Sequence, residues 1–271
     1  MSSEHTKRLS IIILNWNTRA LLRECLHSLH REAMTDNEII VVDNASTDGS
    51  PQMVQDSFPQ VKLLTNTHNL GFTIANNQGM KIAQGRYILL LNSDTLASRA
   101  ALDALVQFMD NHPDVGACSP RLLRPDGTPQ PYAFGKDPTP GYLFARGFNQ
   151  IILRRHLHNW GIDKPLAVDW VSGACLMVRR EVIEQVGGLD ENIFMYFEDN
   201  DWCLRIRKAG WKVFYVPQAE ITHIGGQSLN QNPKARQAYY QSLAYFYDKH
   251  YGVIAKVLLK GGLAVYRLMM P

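Results

Sequence analysis

Four short apolar runs, each followed by a polar loop and then a helical period, constrain this chain more than any other feature. Leu9–Leu14 contains three consecutive isoleucines, and a continuous apolar run of that length suits a strand buried on both faces. Leu21, Leu22, Cys25, Leu26 and Leu29 then recur at helical spacing. Glu38–Val42, Val61–Leu64 and Tyr87–Leu91 read as further strands. Ser50-Pro51 opens a helix with serine as cap and proline in the first turn. Phe72–Ala83 reads as the next helix, closed by Gly85, and Ser98 caps another that runs to about Asn111 before Pro113. This alternation predicts an α/β fold with a parallel sheet and helices on both faces. Such sheets bind ligands at the carboxyl ends of their strands.

The second half is less regular. Pro120 to Pro165 holds seven prolines and no long periodic run, which predicts an irregular segment with a turn at Pro125-Asp126-Gly127. Long irregular segments of this kind serve as lids or binding loops. Trp170–Val178 reads as a strand, Arg180–Val186 and Asp199–Ala209 as helices, and Val213–Val216 as a late strand. Asn232-Pro233 starts a helix to about His250. From Gly252 to Pro271 an apolar stretch is interrupted by Lys256, Lys260 and Arg267. A basic amphipathic helix of that type either lies on a membrane surface or docks on the domain.

Composition excludes several classes. With 271 residues, 45% hydrophobic and 20% charged, the chain can bury a sizeable core and is not disordered. A net charge of +3 is too mild for a nucleic-acid binder. None of the four cysteines forms a C-x-x-C pair, which reads as reduced, buried thiols in a cytoplasmic protein. The run after Arg8 is too short for a signal peptide, and no stretch reaches membrane-span length without charge. G-x-S-x-G, P-loop and G-x-G-x-x-G patterns are absent, so serine hydrolase, P-loop kinase and dinucleotide dehydrogenase chemistry lack their carriers.

The polar motifs fall where strands end. Asn15-Trp16-Asn17 follows the first strand, Asp43-Asn44-Ala45-Ser46-Thr47-Asp48-Gly49 the second, and Asn92-Ser93-Asp94 the fourth. Asp43 can accept from a base N–H or a ribose hydroxyl, whereas Asp48 fits turn and capping duty. Asn92 and Asp94, two apart in an extended segment, face one way and make a hard oxygen site for Mg²⁺ or Mn²⁺ on phosphate. Asn69-Leu70-Gly71 precedes the helix that carries Asn76 and Asn77. A helix N-terminus favours phosphate, and Asn77 reads as the more functional of two poor helix formers. Glu198, Asp199 and Asp201 crowd a helix start behind Phe194–Phe197. The helix dipole accounts for one or two of these acids, while aromatic desolvation would make a better general base. His223, at another strand end before Gly225-Gly226, suits a metal shell.

These stretches together resemble family 2 glycosyltransferases of the GT-A fold, most closely the rhamnosyltransferase-like branch. The resemblance rests on Ile11–Asn17, Ile40–Ser50, Asn69–Gly79, Gly85–Thr95, Val168–Arg180, Gly187–Ala209 and His223–Ser228, in that order. It implies a mostly parallel nucleotide-binding sheet within a domain at 1–228. Residues 9–119 would form the nucleotide half, 120–228 the acceptor and catalytic half, and 229–271 a C-terminal helical extension. Asn15, Asn17, Asp43, Asn69, Gly71, Asn77, Asn92 and Ser93 would hold the nucleotide. Asp94 would close a D-x-D-type metal motif whose first acid is here Asn92, which lowers the charge offered to the metal, and His223 would be a further ligand. Asp199 would be the general base, with Glu198 and Asp201 as alternatives. Trp170, Ser172, Gly173 and Ala174, with Asp201, would line the donor-sugar and acceptor pocket. The implied activity is inverting transfer from dTDP-L-rhamnose to a saccharide acceptor, polyprenyl-diphosphate-linked, in cell wall or lipopolysaccharide synthesis. The tail would then touch the cytoplasmic face of the inner membrane.

Three other readings compete. The donor could be a UDP- or GDP-sugar. A nucleotidyltransferase would carry a Gly-rich loop after the first strand, and Asn15-Trp16-Asn17-Thr18 has no glycine. A catalytically silent sugar- or nucleotide-binding module would not need Asp94 and the Glu198-Asp199 pair.

Overall fold

Ile11, Ile12 and Ile13 are all fully buried, so the first apolar run is covered on both faces, as its unbroken hydrophobicity demands. At roughly 1.5–3 kcal/mol for each such side chain, this run contributes strongly to the core. The computed structural model describes residues 7–30, 36–151, 154, 158–225 and 233–269. In order come β1 (Lys7–Asn15), α1 (Arg19–His30), β2 (Asn37–Asp43), α2 (Ser50–Ser57), β3 (Lys62–Thr65), α3 (Phe72–Ile82), β4 (Gly85–Asn92), β5 (Thr95–Ala97) and α4 (Arg99–Asn111). Then follow β6 (Val115–Leu123), β7 (Phe134–Gly135), α5 (Pro140–Ile151), β8 (Leu166–Ala167), β9 (Trp170–Val171), β10 (Cys175–Arg179), α6 (Arg180–Val186), α7 (Glu198–Lys208), β11 (Lys212–His223) and α8 (Pro233–Met269).

Among the described residues the main sheet runs β3-β2-β1-β4-β10-β6-β11-β5, with β8 on β11. The first four strands are parallel. The chain fills β1, β2 and β3 outward and then returns to the other side of β1 for β4, which creates a switch point between β1 and β4. Ligands in open α/β sheets sit outside the carboxyl ends at such a point. In register there, Asn15 pairs with Asp43 and Leu14 with Asn92. On one side α3 lies close to β1 and β2, because a Cβ on Gly79 would run into Ile12.

Beyond β4 the sheet is mixed. β10 is antiparallel to both β4 and β6, while β6 and β11 are parallel. The expected strand from Trp170 to Val178 is two strands, β9 and β10, separated by a turn at Ser172–Ala174. The expected irregular segment contains α5 and part of β6. The start of α5 has a clear local cause: Thr139 Oγ1 accepts from Tyr142 N at 3.2 Å and Pro140 occupies the first helical position. β6 was hidden by Gly116, Ser119 and Pro120, which interrupt its apolar run.

Smaller expectations shift too. Ser98 does cap α4, accepting from Ala101 N. Ser50 is instead the first residue of α2, and its N–H and hydroxyl both donate to Asp48 Oδ1. Gly85 opens β4 rather than closing α3. All four cysteines are buried and free. The final helix reaches Met269, broken at Gly252, where φ is 81°. Gly226–Ser228, Asn232 and the boundary between 228 and 229 lie outside the described residues.

Candidate active site

The carboxyl edge of β1 and β2 is laced by short polar side chains. Asp43 is buried; its Oδ2 accepts from Asn15 Nδ2 at 2.8 Å and its Oδ1 from Ser46 N at 2.8 Å. Asn15 also receives Thr18 Oγ1, whose hydroxyl lies 2.8 Å from Ser93 Oγ across the switch point. Asn17 adopts φ 54°, and its Oδ1 accepts from Thr47 N at 2.8 Å. Asn15, Asn17, Asp43 and Ser93 therefore form one connected cluster. Beside it Trp16 is 51% exposed. Asp48 lies at the edge of this cluster; burial alone would raise its pKa, but hydrogen bonds from Ser50 and from Arg19 N hold it below the usual range.

Asn69 and Asn77 face inward instead. Asn69 Oδ1 accepts from Asn44 Nδ2 and from Gly71 N, both at 2.9 Å. Asn77 bonds Leu189 through both its amide atoms and donates to Glu191 Oε1. Both amide atoms of Asn77 are spent on the protein, so structural contacts take the place of its expected nucleotide contact, whereas Asn69 commits only its Oδ1. Gly71 has φ 86°, and a Cβ there would strike Phe194. The Phe72 N–H, which opens α3, donates to Phe194 O at 2.7 Å and is not free for a phosphate.

At the end of β4, Asp94 Oδ1 lies 3.2 Å from His223 Nε2. The antiparallel pairing of β5 with β11, Thr95 opposite His223, makes this meeting. Asn92 Nδ2 is 3.5 Å from the same ring nitrogen. On its other side His223 Nδ1 lies 2.9 Å from Gln130 Oε1. Gln130 thus fixes the ring from the Nδ1 side and turns Nε2 towards Asp94. A Cβ on Gly225 would collide with Asp94 Oδ2, so glycine keeps the carboxylate's surroundings open. Gln130 carries no signal in the sequence, since it belongs to a proline-rich stretch 93 residues from His223.

The acidic pair stands next to this edge. Asn92 N donates to Ala174 O at 2.9 Å, and the neighbouring Gly173 N donates to Asp199 Oδ2 at 3.0 Å. The turn that splits β9 from β10 thus aims an amide at Asp199. Asp199 Oδ1 accepts from Asn200 N at 2.8 Å. In the orientation that satisfies its neighbours, the Asn200 side chain donates to Asp199 Oδ1 and accepts from Trp170 Nε1, each at 3.2 Å. Trp170 Nε1 also donates to Lys136 O, and Ser172 Oγ accepts from Ala174 N. Glu198 is buried with no partner for Oε2. Burial, then the charge of Asp199, pushes its pKa up to about 8. Burial also raises Asp199, but the amides of Gly173 and Asn200 counter it. The two amides therefore favour the charge on Asp199 over Glu198.

Asp201 corrects the sequence expectation. It is fully buried, its Oδ2 accepts from Arg205 Nε at 2.8 Å, and its Oδ1 accepts from Lys249 Nζ at 2.6 Å and His250 Nε2 at 2.7 Å. A saturated, buried carboxylate can serve neither as base nor as substrate contact. Its partners on α8 lie 48 and 49 residues away, beyond any local pattern.

The sequence profile of glycosyl transferase family 2 matches residues 10–187. The chain belongs to that family. It is a glycosyltransferase with a mixed α/β sheet of the GT-A type. It is 31% identical over 291 residues to the N-acetylglucosaminyl-diphospho-decaprenol L-rhamnosyltransferase of Mycobacterium tuberculosis, covering 98% of this chain and 93% of that one. It is 29% identical to the low-salt glycan biosynthesis hexosyltransferase Agl10 of Haloferax volcanii, over 79% of this chain and 66% of the relative. Among solved structures, GalNAc-T7 with UDP, GalNAc and Mn²⁺ superposes with a TM-score of 0.63 at 17% identity, covering 90% of this chain and 50% of that one. S. aureus TarS does so at 0.59 and 18%, covering 90% and 43%. The family match stops before α7 and α8, so the Glu198–Asp199 pair and the helix that holds Asp201 lie beyond it.

Proposed function

We propose that this glycosyltransferase moves L-rhamnose from dTDP-L-rhamnose, with inversion, to a saccharide on polyprenyl diphosphate. The reading carries on one observation: Asp199, oriented by the Gly173 N–H, stands next to the strand edge that brings Asp94 to His223. Similarity to a rhamnosyltransferase along nearly the whole chain supports this sugar and acceptor.

In this reading the acceptor hydroxyl oxygen attacks the anomeric carbon from the face opposite the diphosphate. The bond from that carbon to the phosphate oxygen breaks, and the nucleoside diphosphate leaves with the bonding electrons. The hydroxyl proton passes to the Asp199 carboxylate. Asp43, with Asn15, Asn17 and Ser93, holds base and ribose. Gly173, with Trp170, Ser172 and Ala174, forms the floor on which both sugars are aligned.

The residues at the β4 end fit a divalent cation: a carboxylate and an imidazole nitrogen converge, and Gly225 leaves space at the carboxylate. Asp94 and His223 would hold Mg²⁺ or Mn²⁺, with Asn92 beside them. Among the described residues no group of three or more His, Cys, Asp or Glu side chains gathers to hold a metal, so donor oxygens would complete the shell. Bound there, the ion would neutralise the departing diphosphate as a Lewis acid.

No helix among the described residues is long and apolar enough to cross a membrane. After Gly252, however, Val253, Ile254, Val257 and Leu258 are 61–80% exposed. The sequence from Gly252 onward has three basic side chains, Lys256, Lys260 and Arg267, and no acidic one. An exposed apolar stripe on a basic stretch suits an anionic lipid surface, where a lipid-linked acceptor resides. The reading therefore puts the protein on the cytoplasmic face of the inner membrane, building cell-surface polysaccharide.

A thermal-shift panel of nucleoside diphosphates and nucleotide sugars, with and without Mn²⁺ or Mg²⁺, tests the reading. It requires the largest shift with dTDP or dTDP-L-rhamnose and a larger one with metal. Shifts only with UDP- or GDP-sugars would discard rhamnose, and no shift with any nucleotide would point to a silent binding module.

A further inference from the structure

Asp201 lies two residues beyond Asp199 in the first turn of α7, and its burial demands compensation for the whole carboxylate. Arg205, on the same helix, bonds only Oδ2. Both donors to Oδ1 come from α8. Without them a buried carboxylate oxygen beside the catalytic pair would lose its hydrogen-bond partners.

The same helix also holds the loop that leads into the pair. Lys249 Nζ donates to Asp190 Oδ2 at 2.6 Å, and Tyr245 OH donates to it at 3.0 Å. Ser242 Oγ donates to Met195 O at 2.8 Å. At the end of this loop Tyr196 and Phe197 adopt φ of 68° and 65°. Two consecutive aromatic residues in the left-handed region are strained, and such strain persists only where the surroundings over-determine it. Part of that surrounding is α8: the Phe197 ring lies 5.0 Å from Tyr239 and 5.8 Å from Phe246. Glu198 follows Phe197 directly, so any relaxation of these two residues re-aims the pair.

We propose that Lys249 and His250, in the last turn of α8 before its break at Gly252, are positioning residues for the Glu198–Asp199 pair. The helix that the sequence divides off as an extension is, on this view, part of the frame of the active site. The proposal rests on the catalytic reading of that pair.

The test uses the full chain carrying Lys249→Met, His250→Asn or the conservative Lys249→Arg, with Asp199→Asn as control. Amide hydrogen exchange reads the backbone from Phe194 to Asp201, and steady-state transfer from dTDP-L-rhamnose reads turnover. Lys249→Met and His250→Asn should speed exchange in that segment by about tenfold or more with β1–β4 unchanged. They should lower kcat by about tenfold with donor KM held, and Lys249→Arg should restore most of both. Unchanged exchange at Tyr196–Asp199 in both variants overturns the proposal, whatever the activity. So does a kcat that stays at the parent value while Asp199→Asn is inactive. An active Asp199→Asn would instead overturn the reading of the pair. If one variant fails to fold, the other decides by the same readouts.

Discussion

Replacing Glu198 by glutamine should stabilise this protein, and increasingly so as pH rises. Glu198 is buried with an unpartnered Oε2, and its pKa is lifted from 4.5 to about 8. The unfolded chain gives up this proton near 4.5 and the folded one only near 8, so unfolding releases a proton between them. The stability contributed by the protonated form is complete below 4.5 and is lost as pH climbs through about 8. At about 1.4 kcal/mol per unit, the loss is on the order of 3 kcal/mol at pH 7 and about 4–5 kcal/mol beyond pH 8. Glutamine keeps the shape of the protonated acid and does not ionise. The variant should therefore gain roughly 2–4 °C in Tm per kcal/mol, with little gain near pH 4.5 and a plateau above pH 8. Thermal or urea unfolding of both proteins across that range measures it. A gain that stays flat with pH, or no gain at all, would mean that Glu198 is ionised in the folded protein. The preference for the charge on Asp199 over Glu198 would then fail.

Other outcomes follow from the same geometry. Asn77→Ala orphans the N–H and carbonyl of Leu189 and should cost about 2–3 kcal/mol, read by urea unfolding; a loss below about 0.5 kcal/mol would remove its role as a tie. Asp94→Asn should abolish the metal-dependent part of the dTDP thermal shift while sparing the metal-free part, and a fully retained metal effect would move the cation site elsewhere. Ile254→Glu with Leu258→Glu should weaken sedimentation with anionic vesicles by at least about tenfold without lowering Tm. Unchanged vesicle binding would exclude this stripe as the lipid contact.

Much of the first half of the chain is legible because its signals are local. The isoleucine run of β1, the leucine spacing of α1 and the Ser98 cap each depend on neighbours in sequence, and the βα alternation then brings Asn15, Asp43 and Asn92 to one edge. The second half depends on distant partners. α5 began at a Thr-Pro pair hidden among other prolines, and β6 was interrupted by Gly116, Ser119 and Pro120. Asp201 looked like one more acid at a helix start, since nothing nearby reveals that α8 supplies its partners. Asn77 reads as a helix asparagine under local demand, and the structure meets that demand with the backbone of Leu189. Gln130 stood out in no pattern, because its one visible task is to orient a histidine on another strand.

The most direct measurement is transfer by Asp199→Asn beside the parent protein, with dTDP-L-rhamnose as donor, together with dTDP binding by each. Loss of a general base costs about 10²–10⁴-fold in turnover, so kcat should fall within that range while dTDP affinity stays within about twofold. Turnover close to the parent's, or binding lost together with turnover, would contradict Asp199 as the base of this glycosyltransferase.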